Sequence, residues 1–250
     1  MFMSTAHVPR SLLVLLAALS CVFFGANATA DDTADAITRT LSEAIPQLDI
    51  TGVIKSEVPG LYEVASTNGG NLLVTEDGQY LLTGDVLKVT SRGVANLSEE
   101  KRLTRRAETM AAFGRDGIIT FPASGNEKAV ISVFTDIDCP YCRKLHDEVP
   151  ELNEMGITVH YYGFPRSGPN TPSFAKYVSV WCADDQQAAM NAAKQGRNIE
   201  RQTCGNPVAS QYQLGQQVGV TGTPAIVLDN GQIIPGYRPA KQIAEALEIL

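Results

Sequence analysis

The chain has 250 residues, with 20 Lys+Arg against 27 Asp+Glu, a formal net charge of −7, 44% hydrophobic residues and five cysteines. This length allows one large domain or two modest ones, and the composition excludes a disordered or collagen-like chain. The acidic balance argues against a nucleic-acid binder, whose contact faces are basic. Five cysteines are too few for a small disulfide scaffold and an odd number for a fully paired exported protein.

Residues 1–30 contain no acidic residue. Arg10 supplies a positive start, Leu12 to Phe24 is nearly unbroken apolar sequence, and Ala26-Asn27-Ala28 and Ala28-Thr29-Ala30 both fit the small-x-small cleavage rule. The pattern predicts a secretory signal peptide cleaved near Ala28 or Ala30, because the apolar run is too short and wrongly flanked for a spanning helix. Cys21 lies inside the run and is lost with it; a lipid anchor there is disfavoured by Ala18 and by the apolar Val22-Phe23-Phe24 that follows. Without these residues the balance is 19 Lys+Arg against 27 Asp+Glu, or −8, and four cysteines remain: Cys139, Cys142, Cys182 and Cys204. Export places them where disulfides form and persist.

Asp31 to Pro46 reads as a short helix with Ile37, Leu41 and Ile45 at a spacing of four. Five short β-rich segments follow: Leu48–Ile54, Leu61–Ser66, Asn71–Thr75, Gln79–Thr83 and Val86–Thr90. Pro59-Gly60, Asn68-Gly69-Gly70 and Asp77-Gly78 punctuate them, the last as a hairpin signal. Residues 31–95 are thus expected to form a small α+β unit. With no cysteine staple, it would gain buried surface by pairing with a second copy. Asn96 to Phe113 predicts a polar helix, capped by Asn96 or Ser98 and closed by Gly114; such a helix either links two domains or lies solvated on one. From residue 116 the order changes. Strands are expected at Gly117–Phe121, Lys128–Thr135 and Ile157–Phe164, and helices from Cys139 to Glu148, Thr171 to Lys194 and Pro207 to Val218. A hairpin about Asp229-Asn230-Gly231 and a closing helix from Ala240 complete a mixed sheet covered by helices.

The chemistry concentrates in Val130-Ile-Ser-Val-Phe-Thr-Asp-Ile-Asp-Cys139-Pro140-Tyr141-Cys142, a buried strand running into Cys-x-x-Cys and a helix. With Cys139 at the N-cap, Pro140 falls at N1, where its missing N–H costs nothing. The free N–H groups and positive end of the helix favour a Cys139 thiolate, which makes Cys139 the expected nucleophile and Cys142 the resolving thiol. A purely structural bridge is disfavoured because so short a loop stabilises little. A zinc site is disfavoured because there is no second Cys-x-x-Cys, and only His146 and His160 remain once residues 1–30 are removed. Neither a metal nor an organic cofactor is expected. Thr223-Pro224, opening a strand-like run, is a candidate cis bond beside the cysteines; an ordinary trans proline on an edge strand is the alternative.

Phe134-Thr-Asp-Ile-Asp-Cys-Pro-Tyr-Cys142, Gly156-Ile-Thr-Val-His-Tyr-Tyr-Gly-Phe-Pro-Arg166, Trp181-Cys182-Ala, Gly219-Val-Thr-Gly-Thr223-Pro224 and Asn230-Gly-Gln-Ile-Ile-Pro-Gly-Tyr237 resemble the periplasmic protein disulfide isomerases of the DsbC/DsbG family. The likeness is specific from about residue 128 onward; the N-terminal unit and the helix after it match in size and order only. The resemblance implies a cystatin-like N-terminal dimerisation domain (31–95), a linker helix (96–115) and a thioredoxin-like catalytic domain with a helical insert (116–250), assembled as a V-shaped homodimer. It implies that Cys139 is an exposed nucleophile with Cys142 as partner, that Thr223 and a cis Pro224 face them, and that Pro140, Tyr141, Thr223 and Pro224 meet the substrate.

Four cysteines allow three pairings. Pairing 139–142 and 182–204 is the local one, and the resemblance implies a structural bridge at Cys182–Cys204, worth roughly 3 kcal/mol in the loop-entropy picture. It further implies misoxidised periplasmic clients and an inner-membrane, DsbD-like thiol reductase as electron donor. Pro140-Tyr141 is DsbG-like, whereas DsbC proteins typically carry Gly-Tyr, and the flanking sequence and Thr223 are closer to DsbC. Val133 stands where thioredoxin keeps a buried Asp, so no proton acceptor is assigned. His146, one turn past Cys142, is expected on the surface of its helix; the alternative is that it tunes Cys142. The competing readings are a DsbG-like reductase of oxidised single cysteines, a DsbA-like oxidant, and a thiol-independent periplasmic chaperone.

Overall fold

The structure is a computed structural model and describes residues 30–67 and 72–249. The signal-peptide segment and the Asn68-Gly69-Gly70 turn lie outside the described residues, apart from Ala30. The chain divides into two compact units between Gly84 and Asp85, ahead of the position 95/96 expected from the sequence.

The first unit opens with α1 (Ala30–Ala44), followed by β1 (Ile50–Lys55), β2 (Leu61–Ser66), β3 (Leu72–Thr75) and β4 (Leu81–Leu82). The strands form one antiparallel sheet in the order β1-β2-β3-β4. Ile37 and Leu41, one turn apart on α1, pack with Tyr62, Val64 and Val74 from one face of the sheet. Alternation along β2 buries Tyr62 and Val64 and turns Leu61 and Glu63 outward, as a half-covered strand requires. The hairpin signal at Asp77-Gly78 is fulfilled: Gly78 sits at φ +71°, and its N–H reaches the Thr75 carbonyl at 2.8 Å.

The second unit begins with a hairpin of β5 (Leu87–Thr90) and β6 (Gly93–Asn96), the latter unforeseen in the sequence. α2 (Leu97–Phe113) starts at Asn96, whose side-chain oxygen accepts the Glu99 N–H at 2.9 Å, and stops at Gly114. Although its sequence is polar, α2 lies against the sheet that follows. Arg106 donates to the Val218 carbonyl at 2.7 Å and the Gly231 carbonyl at 2.5 Å. A Cβ at Gly231 would fall 2.0 Å from the Leu103 carbonyl oxygen, so only glycine permits that approach.

The main sheet has the order β11-β10-β8-β9-β7, built from β7 (Ile119–Phe121), β8 (Ala129–Thr135), β9 (Ile157–Gly163), β10 (Ala225–Val227) and β11 (Ile233–Pro235). The central pair β8 and β9 is parallel and all other pairings are antiparallel. Every residue of β9 is buried, as befits a strand covered on both faces. Helices α3 (Pro140–Asp147), α4 (Val149–Glu154), α5 (Pro172–Trp181), α6 (Gln186–Lys194), α7 (Val208–Gln217) and α8 (Ala240–Ala246) complete the unit.

One helical expectation needs correction. The stretch from Thr171 to Lys194 is two helices, because Asp185 caps a new one by accepting the Ala188 N–H at 2.9 Å. The helix that starts at Cys139 is found, with Glu148 as its C-cap, and a second short helix with Pro150 in its first turn, unforeseen in the sequence, follows it. At the break between α5 and α6, Cys182 is bonded to Cys204. Trp181 beside it is buried, with its indole N–H on the Gly117 carbonyl. Among the described residues, no helix is long and apolar enough to cross a membrane.

Candidate active site

The buried strand β8 ends at Thr135, and the turn Asp136-Ile137-Asp138 leads into α3. The Asp138 N–H bonds the Asp136 carboxylate at 2.9 Å and the Cys139 N–H bonds the Asp136 carbonyl at 3.2 Å, which fixes the turn. Cys139 is the N-cap, with extended backbone (φ −83°, ψ 121°), and Pro140 occupies the first turn. Pairing of Ala225 with Phe134 sets the start of β10 beside the end of β8. The Thr223-Pro224 bond before it is cis, and the Thr223 carbonyl accepts from the Cys139 thiol at 3.3 Å. Cys139 and Cys142 are free thiols. The site residues named from the sequence therefore meet, except Cys182 and Cys204, which form the separate bridge.

The exposed nucleophile is corrected: Cys139 is 2% exposed and Cys142 1%. The Thr223 carbonyl at the Cys139 sulfur is part of that cover. Pro140 and Tyr141 are exposed, Tyr141 by 63%. What separates the thiols is electrostatics. Burial disfavours a thiolate at Cys139, but the Thr223 side chain, the N–H and thiol of Cys142 and the positive charge of Arg166 outweigh it, and its pKa falls below the ordinary value. At Cys142, burial prevails over Lys194, Thr223, the Asp136 N–H and Thr135, and its pKa rises. The Thr223 hydroxyl is buried and makes no hydrogen bond of ordinary geometry, so its dipole is left to act on the two sulfurs.

Comparison with known proteins supplies the family. Residues 120–250 match the thioredoxin-like domain family, and residues 26–99 match the disulfide bond isomerase protein N-terminal domain. The thiol:disulfide interchange protein DsbC of Dickeya dadantii is 38% identical over 96% of this chain and 95% of its own length. The chain belongs to the DsbC family of thiol:disulfide interchange proteins. The DsbC of Escherichia coli K12 is 37% identical over 95% of this chain and 94% of its own. A solved disulfide interchange protein from Neisseria gonorrhoeae is 32% identical, with a TM-score of 0.48, covering 54% of this chain and 96% of that one. The fold expectation thus stands: a DsbC-type N-terminal domain precedes a thioredoxin-like domain.

Beneath the cysteines of this DsbC-family chain lies a polar layer that the sequence did not announce. Asp136, 2% exposed, accepts from the Arg166 N–H at 3.0 Å, the Arg166 side chain at 2.9 Å and the Ser173 hydroxyl at 3.3 Å. Burial pushes its carboxyl up, but the Arg166 and Asp138 bonds hold it below the usual range. Its own N–H reaches the Cys142 sulfur at 3.3 Å. Lys194, 3% exposed at the end of α6, donates to the Thr135 hydroxyl at 2.6 Å and the Asp136 carbonyl at 3.1 Å. Tyr177 bonds the Thr135 carbonyl.

His146 is also corrected. It is 7% exposed, with Nδ1 3.0 Å from the Tyr161 hydroxyl and Nε2 2.8 Å from Asn191 Oδ1; burial, with Lys194 nearby, lowers its pKa to about 4. Asp136 stood within the quoted motif and Arg166 within the quoted β9 segment. Lys194 carries no local signal, since it reads as the last charged residue of an ordinary helix.

Proposed function

We propose that the chain is a periplasmic disulfide isomerase that acts through Cys139 and Cys142. The observation that carries this reading is the placement of Cys139 at the N-cap of α3, its sulfur 3.3 Å from the Thr223 carbonyl before cis Pro224, with Cys142 one turn on; this setting shifts Cys139 toward thiolate and Cys142 toward thiol. The Cys139 thiolate attacks one sulfur of a wrong disulfide in a client. A Cys139–client bond forms, the client S–S bond breaks, and the electron pair leaves on the second client sulfur. A client thiolate then attacks the mixed disulfide, making a new client pairing and regenerating Cys139. Alternatively Cys142 attacks Cys139, giving the 139–142 disulfide and a reduced client. The oxidised enzyme then needs two electrons, for which an inner-membrane, DsbD-like thiol reductase is the proposed donor.

The exposed Pro140 and Tyr141 with Thr223 and cis Pro224 form the client-binding surface in this reading, and Cys182–Cys204 is a structural bridge. The proposed organisation is a signal peptide removed near Ala28 or Ala30, a dimerisation domain (31–95), a linker helix (96–115) and a catalytic domain (116–250), paired as a homodimer. Matches to the N-terminal domain of disulfide bond isomerases and to DsbC proteins over nearly the whole chain support it.

Reactivation of a scrambled multi-disulfide protein tests the reading. Wild type restores activity, Cys139→Ser does not, and a chain lacking residues 31–95 is impaired. Absence of rescue by wild type defeats the isomerase, full rescue by Cys139→Ser indicates a thiol-independent chaperone, and full rescue by the truncation removes the need for a dimer.

A further inference from the structure

Cys142 faces a physical difficulty. To resolve a mixed disulfide it must attack as a thiolate, yet burial holds it as a thiol. Solvent has almost no access, since Cys142 is 1% exposed, and Val133 on β8 offers no carboxylate. One buried base is present. Lys194 brings its Nζ within 2.6 Å of the Thr135 hydroxyl, and Thr135 adjoins Asp136, whose N–H meets the Cys142 sulfur; the Thr135 side chain is among the groups that draw the Cys142 pKa down against burial. The second bond of Lys194, to the Asp136 carbonyl at 3.1 Å, ties it to the residue whose N–H meets the Cys142 sulfur at 3.3 Å. Among the described residues, no carboxylate lies within ion-pair distance of Lys194 to lock it as a cation.

We propose that Lys194 is a positioning residue for the resolving step, taking the proton of Cys142 through the Thr135 hydroxyl as Cys142 attacks the Cys139 mixed disulfide. This rests on the exchange role of Cys139 and Cys142 given above. The Cys142 proton passes to Thr135 Oγ1 while the Thr135 proton passes to the neutral Lys194 amine. The Cys142 thiolate forms a bond to Cys139 Sγ, and the Cys139–client bond breaks with its electron pair on the client sulfur. The client is reduced and the cysteine pair oxidised. The ammonium of Lys194 then returns its proton to the departing client thiolate or to solvent.

The surroundings suit a group that gains and loses a proton. Burial lowers Lys194 to about 8, while Cys142, Asp136 and Cys139 favour its cation and Arg143 opposes it. His146 on α3 feels its charge, and the Tyr161 ring on β9 lies 5.6 Å away. Tyr177 on α5 bonds the Thr135 carbonyl and stays protonated, because burial raises its pKa well above the ordinary value. At pH 7 about one Lys194 amine in ten is therefore neutral and able to accept a proton.

The test uses the reduced full-length protein and one equivalent of dithiobis-nitrobenzoate, an aryl disulfide that releases a coloured thiolate. The first phase reports attack by Cys139, and the second reports resolution by Cys142. Lys194→Met and Thr135→Val should each slow the second phase by about tenfold or more at neutral pH and leave the first unchanged; the deficit should widen from pH 7 toward about pH 9, because the wild-type amine becomes neutral over that range while Cys142 remains a thiol. Lys194→Arg keeps the charge and donors but not the proton acceptor, and should not rescue. Thr135→Val conserves shape and guards against a folding defect in the lysine variants, which near-UV circular dichroism checks. An unchanged second phase, full rescue by Lys194→Arg, or equal slowing of both phases in folded variants overturns the relay. Absence of the first phase in wild type defeats the assignment of Cys139, and the relay falls with it.

Discussion

The mouth of the site and the layer beneath it differ sharply, although the same helix turn joins them. Cys139 meets the N-terminal end of α3, the Thr223 hydroxyl and Arg166, all of which favour negative charge on sulfur. Cys142 sits among Tyr161, Tyr177, His146 and Lys194, in a layer where burial suppresses charge of either sign: it raises Cys142, Tyr161 and Tyr177 and lowers His146 and Lys194. Two thiols of one chemical type thereby acquire two roles. Both are nearly inaccessible at the surface; at Cys139 dipoles and charge outweigh burial, whereas at Cys142 burial prevails.

The strongest way to break this comparison is to exchange the roles of the sulfurs. Cys139→Ser is expected to abolish mixed-disulfide formation, whereas Cys142→Ser should still form the adduct and then trap it. Mass spectrometry of the protein mixed with a scrambled client reads both outcomes, and a trapped adduct in Cys139→Ser would reverse the assignment.

A second test addresses His146. Its folded-state pKa of about 4 lies below the unfolded value of 6.5, so the unfolded chain binds the extra proton first. The stability it contributes is full above pH 6.5 and is lost as pH falls toward 4, by about 3 kcal/mol. Urea unfolding across that window should show the loss, and His146→Gln should flatten it.

Lys194 gives a comparable effect in the opposite pH range. Its pKa is about 8 when folded against 10.5 unfolded, so wild-type stability rises with pH between those values. Lys194→Met should therefore be more stable than wild type at neutral pH, by up to about 3 kcal/mol, with the gain gone above about pH 10.5. A destabilised Met variant would mean that the lysine hydrogen bonds outweigh the desolvation of the amine.

The smallest effect is expected at Thr223. Because its buried hydroxyl has no ordinary hydrogen-bond partner, Thr223→Val should change stability by no more than about 0.5 kcal/mol. It should nevertheless move the Cys139 titration to higher pH, read by ultraviolet absorbance of the thiolate. An unmoved titration would show that the helix end and Arg166 suffice.

Local sequence went far with elements whose cause is local. The strand Leu61–Ser66 falls where alternation predicts it, Asn96 caps α2 through its own side chain, and Asp77-Gly78 turns the β3–β4 hairpin. It misled where a contact across the fold decides. A sequence of helix formers from Thr171 to Lys194 breaks at Asp185, where the cap competes with continuation and Cys182 is drawn to Cys204. α2 read as a linker between domains, or as a solvated helix on one, because its apolar face is thin; what the sequence did not show is that two hydrogen bonds from Arg106 and the space left by Gly231 hold it to the sheet. His146, polar and one turn past Cys142, reads as a surface residue until Tyr161 and Asn191 are seen to close over it.

By itself the sequence determined the exported character expected of residues 1–30, the Cys139-Pro140-Tyr141-Cys142 turn at a helix start and the Thr223-Pro224 segment, because composition, spacing and proline geometry act over a few residues. Tertiary structure alone decided what surrounds each sulfur. Lys194 lies 52 positions beyond Cys142 in the chain and Thr223 lies 84 beyond Cys139, yet they share one buried volume with the cysteines. A thiol pKa depends on charges and dipoles within a few ångströms, whatever their separation along the chain, and only folding brings those groups together.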